Sequence, residues 1–498
     1  MVTVPAGSEW LKKHYKLSRF TITHSSFIGK SDAIELTSAG NVEQVYNTRY
    51  APVTDSPILH LEFSLKYDDL NLDFLKAVIE RIPVEELVTY IESSPSSKYS
   101  RKVGYIYELL TGYRLTINKP ITGNYVDLLD PKKYITGNIV KNTRWHINDN
   151  LLGTSSFCPI VRKTKKLEEL LNLSIAGDIG ELKDSFSEDI FRRAVNYLYS
   201  KETKSSYEIE REKPSADRMA KFINLLRLAG KKPTEELLEE RGLIELQNAI
   251  VDPRYAAISF RDFQNYIGQT LPGGYDLIHY ICPPPAFVPS LMKGLMDIAG
   301  KTAGIFPEIR AAVIAFSFVF IHPFEDGNGR LHRFLIHDIL VHDGVVPHGL
   351  IIPVSAHMLN NMKDYDAILE KYSRPLMQRI KYDNTDNGEV TVTNAENVEG
   401  YFRYPDLTDQ CIYLIETIHA TLQEDMPGEL RFIQRYGEAK RELQNIVDMP
   451  DKDLNLMITF LHQNKGVFPK RRREQFSKLT DDEIAAMQAR FRDVFELG

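Results

Sequence analysis

The chain has 498 residues, 43% of them hydrophobic, which is too many for one ordinary core and sets two or three domains as the expectation. Its formal charge of −7 argues against a bulk nucleic-acid binder and leaves room for a local basic face. Cys158, Cys282 and Cys411 form no CxxC pair, which excludes a zinc ribbon or disulfide framework and fits a reducing compartment.

Met1 to Leu17 has no apolar core of signal-peptide length. The longest apolar run, Ala311 to Ile321, is shorter than the roughly 20 residues that cross a bilayer. A cytoplasmic protein without a membrane span is therefore expected. Residues 1–175 read as a mixed α/β region of unknown role. Phe20 to Ile28 and Val42 to Tyr50 are rich in β-branched and aromatic residues and predict strands. Leu72 to Ile91 and Tyr105 to Leu110 predict helix, and Asn138 to Thr164, rich in Asn, Gly, Ser and Thr, predicts loop.

Residues 176–380 are mostly helical in pattern. A hairpin interrupts them: Tyr266-Ile267-Gly268, a Leu271-Pro272-Gly273-Gly274 turn, then Leu277 to Ile281, stopped by Pro283-Pro284-Pro285. The apolar helix Glu308 to Ile321 then meets His322-Pro323. A residue before proline is pushed out of the α region, so His322 should stand at a helix exit facing a loop. Residues 381–398 read as a hairpin linker, with Asp386-Asn387-Gly388 before Val390-Thr391-Val392. Residues 399–498 read as a helical C-terminal domain, broken at Asp448-Met449-Pro450.

The stretch His322-Pro323-Phe324-Glu325-Asp326-Gly327-Asn328-Gly329-Arg330-Leu331-His332-Arg333 carries the chemistry. Two glycines around Asn328 let the backbone approach a ligand, and Leu331, Phe334, Leu335, Asp338 and Ile339 continue as a helix. A Gly-rich turn feeding a helix N-terminus is an anion site. Arg330 and Arg333 share a helix face, where cations oppose the dipole unless a polyphosphate lies between them. Asp326 adds a carboxylate suited to magnesium, and His322 can take a proton from a hydroxyl. A lone Gly-Asn-Gly would be an ordinary corner; about eight specified positions together are far more than a short-motif match.

This segment resembles the Fic family signature HPFx(D/E)GNGRxxR and matches its fixed positions. The resemblance implies a mainly α protein: a Fic-fold helical core with a β-hairpin flap, plus mixed N-terminal and helical C-terminal regions. It implies AMP transfer from Mg-ATP to a Ser, Thr or Tyr hydroxyl of a target protein or of the chain itself. His322 would be the general base and Asp326 would hold magnesium. Gly327, Asn328, Gly329 and Arg330 would bind the α- and β-phosphates, Arg333 would reach the γ-phosphate, and Phe324 would anchor the loop. The intact Gly329 favours AMP transfer over kinase-like chemistry. The flap, Gly268 to His279, would pair with the target's backbone. Ile352-Pro353-Val354-Ser355 leading to Lys363-Asp364-Tyr365 resembles the family's adenine-contacting helix, where Tyr365 either stacks on the base or packs in the core.

Many Fic proteins share an inhibitory helix, (S/T)xxxE(G/N). Ser205 to Glu212 resembles it, with Ser206 and Glu210 in the key places and Arg211 departing from the pattern. Glu210 would then neutralise Arg333. The ordinary alternative is a solvated charged helix, since Glu202, Glu208, Glu210, Arg211 and Glu212 are all ionic. Ser31 to Leu36, with Glu35, is a second candidate.

Two rival functions are a de-AMPylase working through the same site and a nucleotide-sensing regulator that binds DNA or a partner. The basic run Lys470-Arg471-Arg472-Arg473 would serve the latter, although such runs are more often solvated faces. His332, His337 and His342 read as structural or exposed, and no GxSxG elbow is present.

Overall fold

The computed structural model describes residues 3–37, 41–270, 276–384 and 389–497. The protein is mainly α. Near the N-terminus four short strands form one sheet in the order Val4–Ala6, His24–Gly29, Val42–Asn47, Ala33–Leu36. Its middle pair is parallel and its outer pairs antiparallel. The strand expected from Phe20 starts only at His24. Phe20 instead lies under the Arg379 guanidinium, 3.9 Å from its ring centre.

The helix expected over 72–91 is two helices, Leu72–Ile79 and Val84–Ser93. Pro83, which has no N–H to continue the ladder, sits at the junction. With Pro57–Tyr67 and Lys98–Thr111 these helices enclose a core of Leu61, Leu75, Val78, Ile91, Ile106 and Trp145. The Asn138–Thr164 stretch is irregular apart from Val140–Asn142 and Ile147–Asp149, yet it is not a solvated loop. Trp145, Leu151, Leu152, Phe157 and Ile160 are buried. A Cβ on Gly104 would overlap the Trp145 ring, and one on Gly294 would overlap Phe157. Small residues on two helices therefore make room for this segment.

The largest core surrounds the central helix Pro307–Ile321, in which every residue from Ile309 to Ile321 is buried. A helix apolar on all sides needs neighbours on all sides. Val288–Lys301, Asn328–His342 and Thr408–Ala420 supply them. The expected 381–398 hairpin is present as Tyr382–Asn384 paired with Val390–Val392. Its Asp386-Asn387-Gly388 turn and the Leu271–Gly274 turn lie outside the described residues.

The 399–498 stretch divides between two cores. Phe402, Leu407, Cys411, Leu414 and Ile418 join the central core, whereas Leu443, Leu454, Met457 and Phe491 form a separate one. The helix Met426–Ile446 spans both, with Leu430 in the first and Leu443 in the second. Among the described residues no helix is long and apolar enough to cross a membrane.

Candidate active site

The central helix ends at Ile321, and His322 turns out of it with φ 53° and ψ 61°. His322 Nδ1 lies 3.1 Å from the Val319 carbonyl. A carbonyl only accepts, so Nδ1 carries the proton and Nε2 presents a lone pair. Burial pushes the His322 pKa down to about 4, against the pull of the Val319 carbonyl; the nearby Arg261 charge lowers it further, and Glu210 and Asp326 raise it. The imidazole is thus neutral at ordinary pH, the state a general base requires.

The loop closes on itself. The Asn328 side chain accepts from the Phe324 N–H at 3.0 Å and donates to the Phe324 carbonyl at 2.9 Å. Phe324 is buried between Phe260 and Phe318, as expected of an anchor. Gly327 has φ 91°, and a Cβ there would press on Val251, so glycine is required on both counts. Helix Asn328–His342 begins immediately afterwards, leaving its first N–H groups without intrahelical partners. Asp326 Oδ1 accepts from the Gly327 N–H at 2.6 Å and from Arg330 at 2.5 Å.

Both arginines are buried, Arg330 being 1% and Arg333 0% exposed. Arg333 reaches the end of helix Glu188–Ile209. Its Nε donates to Ser206 Oγ at 2.8 Å, and its Nη2 donates to the Ser206 carbonyl at 2.7 Å and to Glu210 Oε1 at 2.8 Å. The structure therefore brings Ser206, Glu210 and Arg333 together, 123 residues apart in sequence for the last pair. A Cβ on Gly329 would overlap the Glu210 carboxylate. Arg211, the departure from the inhibitory pattern, has φ 58°. That conformation suits Gly or Asn better than Arg.

Glu212 is a site residue that the sequence did not single out. It pairs with Arg330 at 2.9 Å and with Arg218 at 2.8 Å. Arg330 and Arg218 both lie 5.2 Å from the Tyr207 ring centre. Glu212 follows the helix end by three residues and so escapes helical periodicity; its spacing of two from Glu210, matching two arginines, was the available signal. Glu202, also read as part of a solvated charged face, is buried. It bonds His337 at 2.7 Å and accepts from the Ser355 N–H at 2.9 Å, fastening this helix to the core. The alternative Ser31–Leu36 is no helix: Ala33–Leu36 is an exposed edge strand.

Tyr365 is 4% exposed on helix Met362–Met377, with Tyr413 and His332 as ring neighbours at 6.2 and 6.4 Å. Of its two expected roles, core packing describes this conformation, because no open ring face remains for a base. His332 is buried, and burial pushes its pKa down to about 3. His342 is partly exposed and pairs with Asp343 at 2.9 Å. The hairpin Tyr266–Thr270 and Asp276–Ile281 is antiparallel, with a register shift at Ile267/Gly268, and its far end is anchored by Tyr280, whose hydroxyl donates to the Phe320 carbonyl.

At the C-terminus, Arg473 donates to the Phe476 and Leu479 carbonyls and to Asp481, and Arg472 stacks 5.2 Å from the Phe460 ring centre. Half of the basic run is thus spent inside its own fold. Lys470 and Arg471 are exposed, so the solvated-face reading describes only that half.

The closed Gly-Asn-Gly loop, the neutral His322 and the two buried arginines thus lie together at one helix N-terminus. Residues 237–340, which contain both the hairpin and the loop, match the Fic/DOC family profile. The probable protein adenylyltransferase of Aquifex aeolicus is 30% identical over 176 residues, 32% of this chain and 53% of that protein. The protein adenylyltransferase fic-1 of Caenorhabditis elegans is 28% identical over 178 residues, 33% of this chain and 32% of that protein. The match thus spans about half the length of the first relative and a third of the second. A solved Fic family protein from Desulfovibrio desulfuricans aligns with 67% of this chain and 85% of its own, at 16% identity and a TM-score of 0.35.

Proposed function

We propose that the chain is a protein adenylyltransferase and that the conformation described is its inhibited form. A hydroxyl of a target protein, or of the chain itself, attacks the α-phosphorus of ATP. A new O–P bond forms, the bond between the α-phosphorus and its bridging oxygen to the β-phosphate breaks, and pyrophosphate leaves. The hydroxyl proton goes to His322 Nε2. The carrying observation is that tautomer: Nδ1–H is committed to Val319 and the ring is neutral, so Nε2 is free to accept.

The residues suit the nucleotide. Among the described residues Arg330 Nε and Arg333 Nη1 are buried without a hydrogen-bond acceptor, a costly state that phosphate oxygens would relieve. Asn328 and Gly329 present backbone N–H groups at the same helix start, while the Gly327 N–H is held by Asp326 in this conformation. Asp326, 32% exposed at its side chain, is the residue to hold magnesium. Among the described residues no three His, Cys, Asp or Glu side chains cluster for a metal, so such an ion would take its other ligands from phosphate and water. Bound there, magnesium offsets phosphate charge during transfer.

Glu210 and Glu212 occupy the two arginines that the triphosphate needs. Autoinhibition follows as competition between carboxylate and phosphate for the same guanidinium groups. The hairpin is proposed as the docking strand for the target. Three free, buried cysteines suit a cytoplasmic setting.

The test is label transfer from ATP by the Glu210→Gly variant. Label at the α-phosphate should become protein-bound with release of pyrophosphate. Transfer of γ-label instead would replace adenylyl transfer by phosphoryl transfer.

A further inference from the structure

Arg261 lies between the hairpin and the loop, 5% exposed, and among the described residues it has no carboxylate partner. Its donors go to carbonyls. Nε reaches the His322 carbonyl at 2.7 Å, and Nη2 reaches those of Pro283 at 2.7 Å and Ile321 at 3.3 Å. Nη1 donates to the Phe263 carbonyl at 2.8 Å, and the Arg261 N–H to the Pro323 carbonyl at 2.9 Å. Three of these acceptors, on Ile321, His322 and Pro323, are consecutive at the end of the central helix. Carbonyls there lack intrahelical partners and mark the negative end of the dipole.

His322 is a side-chain-bearing residue with φ 53° and a proline behind it, a strained state that persists only when its surroundings fix it. Any other conformation would swing its carbonyl away from Arg261 Nε. The same guanidinium grips Pro283, two residues beyond the second hairpin strand. Asn265 adds a parallel tie. Its carbonyl accepts from the Cys282 N–H at 3.1 Å, and its amide donates to the Phe324 carbonyl at 3.2 Å.

A buried guanidinium served only by carbonyls gains no ion-pair energy for its desolvation. Stability alone is a poor reason for its presence. We infer that Arg261 is a positioning residue which, with Asn265, locks the base of the hairpin to the catalytic loop, so that a strand seated on the hairpin and the His322 imidazole share one fixed register. The inference rests on the adenylyl-transfer reading for its consequence, though not for its geometry.

The test compares Arg261→Met, Arg261→Lys and Asn265→Ala, each in the Glu210→Gly background, by transfer kinetics and by hydrogen exchange of residues 321–328. Arg261→Met should lower kcat by about 100-fold, the typical penalty of a misplacement near 1 Å, with the KM for ATP changed less than about threefold. Arg261→Lys should recover part of the loss, and Asn265→Ala should lose less, about fivefold. Exchange in 321–328 should quicken in Arg261→Met while the helix Met362–Met377 keeps its protection. An unchanged kcat, a loss carried by KM, or unchanged loop exchange would overturn the assignment. If the Glu210→Gly parent makes no adduct, the adenylyl-transfer reading falls, and the exchange result alone decides the tie.

Discussion

Arg330 and Arg333 on one side, and Arg472 and Arg473 on the other, are paired cations of similar sequence character whose surroundings differ. The first pair is buried, faces Asp326, Glu210 and Glu212, and keeps two donors unpartnered among the described residues. The second pair is only half-buried and is used up by two carbonyls, one aspartate and one ring. Lys470 and Arg471 beside it are exposed. A positive charge therefore says little about anion binding until its neighbours are known. Guanidinium groups held dry by displaceable carboxylates are poised for phosphate, whereas groups satisfied by backbone are part of the scaffold.

The sharpest division between the two regions is chemical. His322→Ala should cut AMP transfer by about a thousandfold, within the usual range for a general base, with native near-ultraviolet circular dichroism retained. Mass spectrometry of the adduct checks it. A variant as active as its parent would remove His322 from the chemistry.

Acid should separate the regions next. His322 and His332 have folded pKa values of about 4 and 3 against an ordinary value near 6.5. A histidine with a depressed folded pKa stabilises the fold above the unfolded value, and that contribution is lost as pH falls towards the folded one. These two histidines should cost the central core on the order of a few kcal/mol between about pH 6.5 and 4, partly offset by Asp338, whose burial raises its pKa to about 6. The C-terminal core is built instead on Leu443, Leu454, Met457 and Phe491. Hydrogen exchange at pH 7 and pH 4.5 should show protection falling first around 307–342.

Smaller effects concern the carboxylates. Glu210→Gly should raise transfer by about 10- to 100-fold, since a hydrogen bond to a charged group is worth about 1.5–3 kcal/mol. Glu212→Gln should raise it by only about threefold, because Asp326 still holds Arg330. Initial-rate assays at sub-saturating ATP would rank the two. Lys470→Ala and Arg471→Ala should leave both ATP binding and melting temperature unchanged, as for exposed side chains generally. A loss of ATP affinity there would break the contrast between the two basic clusters.

Much of the catalytic loop was legible because its chemistry is local. Proline after His322, glycines beside Asn328 and the restart of helical periodicity dictate the turn from within twelve consecutive residues. Ser206 and Glu210 were legible only through a motif, and the geometry that joins them to Arg333 is long-range. Glu212 was missed because it lies beyond the helix, and Arg261 because its partners are carbonyls, which leave no trace in sequence. The Asn138–Thr164 stretch looked like loop because its backbone is irregular. Its Trp145 and Phe157 are nonetheless core residues, accommodated by Gly104 and Gly294, a complementarity invisible along one strand of text. Tyr365 illustrates the same limit: an aromatic beside a binding site and one inside a core read alike.

The central claim is that His322 performs adenylyl transfer and that Glu210 restrains it. Intact mass after incubation with Mg-ATP, for the wild type, His322→Ala, Glu210→Gly and the double variant, tests both halves at once. The account predicts an added AMP that is scarce in the wild type, abundant in Glu210→Gly and absent from both variants lacking His322. An adduct that forms equally without His322, or no adduct in Glu210→Gly despite measurable ATP binding, would contradict it.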